Sequence, residues 1–342
     1  MPTQPPPQAY RPPCVTTEPA STRPQFPLEQ AGQPILALQV QQPAARSRQS
    51  GKAIDVVYLH GSTFGADLSI FHRLDGCSWA DGLGDAGYAV WGFDWAGYGH
   101  SGRYPPGATE PVGRMADVLP QLRRVIVAIR ARNGDRPVVV VAHSWGASVG
   151  AAYAARHPSD VQAMVLFAPI VPRAPNPGCT TATLAAPLAS HYPVTLWAQY
   201  RRFVEDVPRG QPQVLSEAHF HAWGQAYLAS DPCADTRWPP SVWTPAGPMA
   251  DVRAWWSGQW LFEPADVKAS TLLIRGEWDS LCTDADAATL LNALGGAHRS
   301  DCRIARATHL MHLETQRVEL YRQTNEFLRA VIERTPAAGG AR

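Results

Sequence analysis

A serine stands where a β-branched run of the sequence changes abruptly into small residues. Residues 138–141 are four valines, which predict a buried strand, and the Ala-rich stretch 147–155 predicts a helix. Ser144 lies between them, and Ala142 and Gly146 stand two residues to either side. Small side chains there would let the chain fold back tightly, so that the Ser144 hydroxyl is exposed as a nucleophile toward a carbonyl carbon.

A second serine fits the literal Gly-x-Ser-x-Gly pattern better. Residues 146–150 read Gly-Ala-Ser-Val-Gly, with Ser148 at the centre. Ser148 comes four residues after Ser144, one turn into the predicted helix, and would face that helix or the sheet. We therefore favour Ser144, although this segment alone also fits a buried strand followed by an ordinary turn.

A serine hydroxyl is a weak nucleophile until a base removes its proton, and that base needs an acid to orient it. Two later segments each read as a short strand that runs into a candidate partner. Asp279 follows the first of these strands and His309 follows the second. Glu277 is an alternative acid and His312 an alternative base.

The motifs together resemble those of the serine-nucleophile α/β-hydrolase family, over about residues 33–334. They include the order Ser144, Asp279, His309 and an Asp-x-x-Gly-x-Gly-x-Ser-Gly loop at residues 94–102. Alanine at position 142 departs from the usual first glycine, but it is also small. Epoxide hydrolases and haloalkane dehalogenases of this fold use aspartate at the turn, and Ser144 argues against both.

The resemblance also implies an oxyanion hole, in which two backbone N–H groups bind the developing negative charge. Trp145, directly after the nucleophile, would supply one N–H group. Ser62 would supply the other, because it follows a His-Gly pair at the end of a predicted strand. Three neighbouring residues are predicted to line the substrate pocket: His60, Gly61 and Phe64.

Alternating strand and helix patterns predict a mostly parallel sheet covered by helices on both faces. The resemblance implies that this sheet is the α/β-hydrolase fold. The predicted strands lie near residues 36–42, 54–59, 89–94, 138–142, 162–168, 270–275 and 301–306. The predicted helices lie near residues 76–87, 114–132, 145–157, 284–294 and 313–333.

The composition of successive segments predicts the domain organisation of the chain. Residues 1–34 are Pro-rich and predict a disordered or loosely attached tail. The core would comprise residues 35–171 and 265–335, and the C-terminus from 336 to 342 would be flexible. The resemblance implies that residues 172–264, rich in Trp and Pro, form an inserted, mainly helical cap.

Composition excludes several functional classes. The 342 residues carry a net charge of +1, which gives no electrostatic basis for nucleic-acid binding. No apolar run is long enough to span a membrane or to act as a secretory signal. The six cysteines lack C-x-x-C spacing, and His219 and His221 would point to different faces of a helix. We therefore expect a cytoplasmic protein without a metal or organic cofactor.

The predicted function is hydrolysis of an ester, thioester or lactone of a bulky apolar or aromatic small molecule. The aromatic-rich insertion supports an apolar substrate. Two alternatives keep the same three catalytic residues and cleave an amide or peptide bond, or a carbon–carbon bond. A peptide substrate with a free amine would need an acidic anchor, for which Glu205, Asp206, Glu217 and Asp231 are available. A non-catalytic receptor on the same fold would be expected to have lost one of the three residues.

Overall fold

The computed structural model describes residues 23–44, 53–174 and 187–334. Within these ranges, eight strands form one sheet and two further strands form a small antiparallel sheet. The strands are β1 (Gln25–Leu28), β2 (Leu36–Gln41), β3 (Ile54–Leu59), β4 (Tyr88–Phe93), β5 (Val138–His143), β6 (Val161–Phe167), β7 (His191–Thr195), β8 (Ser241–Pro245), β9 (Ser270–Gly276) and β10 (Arg299–Ile304).

The large sheet has the order β1-β2-β4-β3-β5-β6-β9-β10 and is parallel from β4 onward. Its central strands are buried on both faces, which explains why β5 reads as an unbroken apolar run. The described helices are α1 (Trp79–Asp85), α2 (Met115–Asn133), α3 (Trp145–Arg156), α4 (Leu196–Val204), α5 (Glu217–Ala229), α6 (Gly247–Trp256), α7 (Asp284–Ala293) and α8 (Arg317–Arg334). No helix within the described ranges is both long and apolar enough to cross a bilayer.

The first strand corrects one predicted boundary. β1 lies within the stretch that was predicted as a tail, yet it pairs antiparallel with β2 along its whole length. The sheet therefore begins about ten residues earlier than expected. Residues 1–22 and 336–342, which include the rest of the predicted tail and the predicted flexible C-terminus, lie outside the described residues.

In its described residues, the segment between β6 and β9 contains three helices and also the small sheet of β7 and β8, which the sequence pattern did not predict. Several of its aromatic side chains, among them Phe203, Trp223 and Tyr227, pack in an apolar cluster with the loop after β3 and the loop before α8. Trp223 links this segment to the loop after β3, because its indole N–H donates to the carbonyl oxygen of Leu68 at 2.9 Å. Cys179, whose pairing with Cys233 was left open, lies outside the described residues.

A buried carboxylate attaches α6 to the rest of the molecule. Asp251 accepts hydrogen bonds from the backbone N–H of Met115 at 2.6 Å, from Arg114 Nε at 3.1 Å and from the Trp145 indole at 3.0 Å. The first of these lies at the N-terminus of α2, where a negative charge is favoured. The inserted segment is therefore tied directly to the residue that follows Ser144.

Candidate active site

Ser144 occupies a strained turn between β5 and α3. Its backbone has φ 56° and ψ −128°, a conformation that costs a non-glycine residue on the order of 1–3 kcal/mol. The Ser144 N–H donates to the carbonyl oxygen of Phe167 at 2.8 Å, which helps to hold the turn. Gly146 cannot carry a side chain, because a Cβ there would lie 2.2 Å from the His60 carbonyl oxygen. Ser144 thus lies at the carboxyl ends of the parallel strands, where α/β sheets bind ligands.

The side chains of Ser144, Asp279 and His309 form one continuous set of hydrogen bonds. His309 Nε2 lies 2.8 Å from Ser144 Oγ, and His309 Nδ1 lies 3.0 Å from each carboxylate oxygen of Asp279. Because a carboxylate only accepts, Nδ1 carries the ring proton and Nε2 keeps the lone pair that faces the serine hydroxyl. The structure therefore brings together the three residues that were selected from the sequence, and buries all of them.

Asp279 is held in place on its far side by the backbone. Its Oδ1 accepts hydrogen bonds from the N–H groups of Leu281 at 2.8 Å and Cys282 at 3.0 Å. Burial alone would raise the pKa of this carboxyl group, but the His309 ring and the two N–H groups outweigh burial and lower the pKa. Asp279 therefore remains ionised and can stabilise a positive charge on the imidazole.

The alternative acid and the alternative nucleophile are engaged elsewhere. Glu277 accepts hydrogen bonds from Arg303 Nη2 at 2.9 Å and from the Arg306 N–H at 3.0 Å, at the molecular surface. The Ser148 hydroxyl is buried and donates to the Ile170 carbonyl oxygen at 2.5 Å. Neither side chain has a hydrogen bond to His309 within the described part of the chain.

Two further histidines pack beside His309 as neutral rings. His143 Nε2 donates to the His309 carbonyl oxygen at 3.0 Å, and burial keeps the His143 pKa well below its ordinary value. Burial and the neighbouring His309 lower the pKa of His312 to about 3. The His312 ring stacks near Phe64 with a centroid separation of 6.1 Å. His312, the alternative base, thus contributes packing, whereas the His309 ring makes the hydrogen bond to Ser144.

His60 lies behind the predicted pocket rather than in its wall, which corrects the sequence prediction. Its Nε2 accepts the Trp95 N–H at 3.0 Å, so the ring proton is on Nδ1, which donates to the Gly61 carbonyl oxygen at 2.8 Å. Burial lowers the His60 pKa to about 4 and keeps the ring neutral. Because C=O and N–H point in opposite directions in a trans peptide, this bond turns the Ser62 N–H away from His60.

The loop after β3 and the turn at Ser144 border a cavity of about 250 Å³. The other predicted residues, Gly61, Ser62, Phe64 and Trp145, all contribute to its wall. Within the described part of the chain, the N–H groups of Ser62 and Trp145 have no backbone acceptor. The remaining lining residues are Thr63, His143, Ser144, Ile170, Tyr192, Gln199, Arg202, Pro248, Met249, Val252, Trp256, Leu281, His309 and Leu310.

Several of these lining residues come from the inserted segment and were not assigned to the site from the sequence. Met249, Val252 and Trp256 recur every three to four residues on α6, a spacing that places them on one face of a helix. Gln199 and Arg202 are likewise three residues apart on α4. Helical spacing could have grouped them, but it could not show which face meets the cavity.

A buried glutamate supports the loop that carries His309. Glu314 accepts hydrogen bonds from the N–H of Thr308 at 3.2 Å and from the Thr308 hydroxyl. Burial raises the pKa of Glu314 to about 7, and the charges of Asp206 and Asp279 act in the same direction. Near neutral pH this carboxyl group therefore titrates in the folded protein.

The Glu314 pKa predicts a pH-dependent stability. Between about pH 4.5 and 7 the folded chain keeps a proton that the unfolded chain has lost, so this residue lowers stability as pH rises. Glu314→Gln removes that effect. We expect its free energy of unfolding, relative to that of wild type, to rise with pH between 5 and 8 by up to about 3 kcal/mol. Urea unfolding at several pH values measures the difference.

The matched control is Glu110→Gln, which removes a carboxylate at an exposed position. Its stability relative to wild type should change little over the same range. A constant difference between Glu314→Gln and wild type from pH 5 to 8 would contradict the assignment.

Comparisons with known proteins agree with this architecture. Residues 56–315 match the family model described as the alpha/beta hydrolase fold. A search of curated protein sequences found no match. Similar solved structures include a carboxylesterase of the ammonia-oxidizing thaumarchaeon Nitrososphaera gargenis, with a TM-score of 0.63 and 14% identity over 91% of this chain and 100% of that one.

Two other similar structures are a membrane phospholipase A described as a bacterial virulence factor and a thioesterase domain from the curacin biosynthetic pathway. The first has a TM-score of 0.60 and 16% identity, and covers 91% of this chain and 87% of that one. The second has a TM-score of 0.59 and 16% identity, and covers 90% of this chain and 100% of that one. Identities this low show a shared fold, while the family match spans most of the chain, so the chain belongs to the α/β-hydrolase fold family.

Proposed function

We propose that this chain is a serine hydrolase that cleaves a carboxylic ester, thioester or lactone through an acyl-enzyme intermediate. The observation that carries the proposal is the set of hydrogen bonds from Asp279 through His309 to Ser144, which ends beside a cavity. A serine, a neutral imidazole and an ionised carboxylate in this arrangement are the groups that acyl transfer needs.

The proposed reaction has two steps. In the first, His309 Nε2 takes the hydroxyl proton as Ser144 Oγ attacks the substrate carbonyl carbon. The bond to the leaving group then breaks, and His309 returns the proton to the departing alcohol or thiol. In the second, His309 takes a proton from water, the resulting hydroxide attacks the acyl carbon, and the acid leaves as Ser144 is reprotonated. Asp279 stabilises the imidazolium in both steps, and the scheme draws on no cofactor.

We further propose that the N–H groups of Ser62 and Trp145 form the oxyanion hole. Both residues line the cavity beside Ser144. Two hydrogen bonds hold this loop in one orientation. His60 Nδ1 donates to the Gly61 carbonyl oxygen, and the Tyr98 hydroxyl donates to the Ser62 carbonyl oxygen. A donor of this kind typically contributes about 3 kcal/mol to transition-state stabilisation.

The wall of the cavity favours an apolar substrate, and we propose that the inserted segment acts as its cap. Most lining side chains are aliphatic or aromatic, and no Asp or Glu is among those described. Three of the four predicted acidic anchors for a substrate amine are outside the described wall and form ion pairs: Glu205 and Asp206 with Arg202, and Asp231 with Arg237. A described wall without a carboxylate favours an ester over a peptide with a free amine.

A substrate panel tests this function. We expect p-nitrophenyl esters of medium or aromatic acyl groups to be cleaved with kcat/KM well above that for an amino-acid anilide. A thioester and a lactone extend the panel to the other acyl bonds, and a fluorophosphonate probe should label the protein. Absence of both labelling and ester cleavage would overturn the proposal, while preference for the anilide would assign amide hydrolysis to the same residues.

A further inference from the structure

One side of the cavity is polar, although the rest of its wall is apolar. Gln199 and Arg202 both line the cavity and stand three residues apart on α4, so they share one face of that helix. Neither takes part in the hydrogen bonds among Ser144, Asp279 and His309. Two polar side chains in a largely apolar wall are suited to a polar group on the substrate, in addition to the carbonyl that reacts.

Gln199 has unused hydrogen-bonding capacity. The residue is 2% exposed, and its Nε2 is buried with no hydrogen-bond partner in the described structure. The Tyr227 hydroxyl lies beside the same amide without a well-formed hydrogen bond to Nε2, and it donates to the Val194 carbonyl oxygen at 3.3 Å. Buried polar groups are usually paired, and Nε2 is closed to solvent beside Tyr227, so it can pair with a ligand only after the side chain turns. A half-turn of the last side-chain torsion lets this amide present either a donor or an acceptor.

Arg202 determines which charge the polar side accepts. Its Nη1 donates to Glu205 at 2.8 Å and its Nη2 to Asp206 at 3.0 Å, while Asp206 also accepts the Ser280 hydroxyl at 2.6 Å. One guanidinium thus already faces two carboxylates, which offset its positive charge, so Arg202 offers little attraction to a third carboxylate. A guanidinium has five N–H groups, and those not bound to the two carboxylates can still donate to a neutral oxygen.

We propose that Gln199 and Arg202 form a specificity subsite for a neutral oxygen function, a ketone or hydroxyl, on an otherwise apolar ester substrate. This inference rests on the proposed hydrolase function and narrows its substrate class. The subsite selects oxygen-bearing substrates over plain alkyl esters, because an alkyl chain leaves the amide unpaired. It also selects them over substrates with a free carboxylate, because the two acids beside Arg202 already offset its positive charge and the rest of the wall is apolar.

Matched ester series test the subsite. Each series contains three kinds of ester: one with an alkyl chain, one with a ketone at successive carbons of that chain, and one with a carboxylate at its end. One series varies the acyl group and a second series varies the alcohol. For at least one ketone position we expect wild type to show kcat/KM at least about tenfold above the alkyl ester. The carboxylate ester should fall below the alkyl ester.

Gln199→Met removes the amide and keeps the length of the side chain, and Gln199→Leu is a second variant in case the first does not fold. In either variant the ketone-to-alkyl ratio of kcat/KM should fall to about one. Gln225→Leu, at an exposed position on α5, is the matched control and should keep the wild-type ratio.

Two results would overturn the subsite: a wild-type ratio near one at every ketone position, or an unchanged ratio in a folded Gln199 variant. Failure of the hydrolase proposal looks different, since wild type would then cleave no ester of any series and would not react with a fluorophosphonate.

Discussion

Replacing Ser144 with alanine is expected to lower kcat for ester cleavage by about 10⁶-fold and to abolish fluorophosphonate labelling. The magnitude follows from hydrolases in which the nucleophile of a similar triad was removed. The physical reason is that the His309 lone pair would have no hydroxyl to deprotonate, because Ser144 Oγ is the group 2.8 Å from His309 Nε2. Steady-state kinetics with the best ester of the panel and mass spectrometry of the labelled protein measure both effects.

Ser148→Ala is the matched control, since it removes a hydroxyl one helical turn away that donates to Ile170 instead. This variant should still be labelled and should keep activity within about tenfold of wild type. If Ser144→Ala were labelled as well as wild type, or if Ser148→Ala lost labelling while remaining folded, Ser144 would not be the nucleophile.

The second large effect is expected from Asp279→Asn, with a loss of about 10⁴-fold in kcat. Leu281 and Cys282 donate their N–H groups to Oδ1, so the asparagine oxygen would stay with them and its NH₂ group would face His309. An NH₂ donor requires His309 Nδ1 to carry the lone pair, which moves the ring proton to Nε2. His309 then holds the wrong tautomer and cannot accept the Ser144 proton.

Steady-state kinetics of Asp279→Asn should therefore show a reduced kcat. Thermal or urea unfolding of the same variant should show the transition of the wild-type protein. Glu277→Gln is the control, because Glu277 is the alternative acid and its carboxylate binds Arg303 and Arg306 at the surface. Its activity should stay within a few fold of wild type. Equal losses in the two variants would contradict the assignment of Asp279.

Much of the sheet is readable from the sequence because its central strands are buried on both faces and form short apolar runs. The strand at the β1 edge of the sheet is harder to recognise from the sequence. β1 has four residues, includes Pro27 and is only partly buried, so neither its length nor its pattern separates it from a Pro-rich tail. The last helix begins at Arg317 rather than near residue 313, because a 3-10 turn, Met311–Leu313, precedes it.

The sequence by itself determined the order of Ser144, Asp279 and His309, the strand before each of them and the small residues around the first. Strand patterns, turns and tight approaches are local properties, so spacing and residue type are sufficient to show them. Only the tertiary structure decided which atoms meet: His60 on the Gly61 carbonyl, Asp279 on His309 Nδ1, and Gln199 and Arg202 beside the cavity. Those contacts join residues on different strands and loops or on different faces of one helix, and their distances depend on how the sheet and the inserted segment pack.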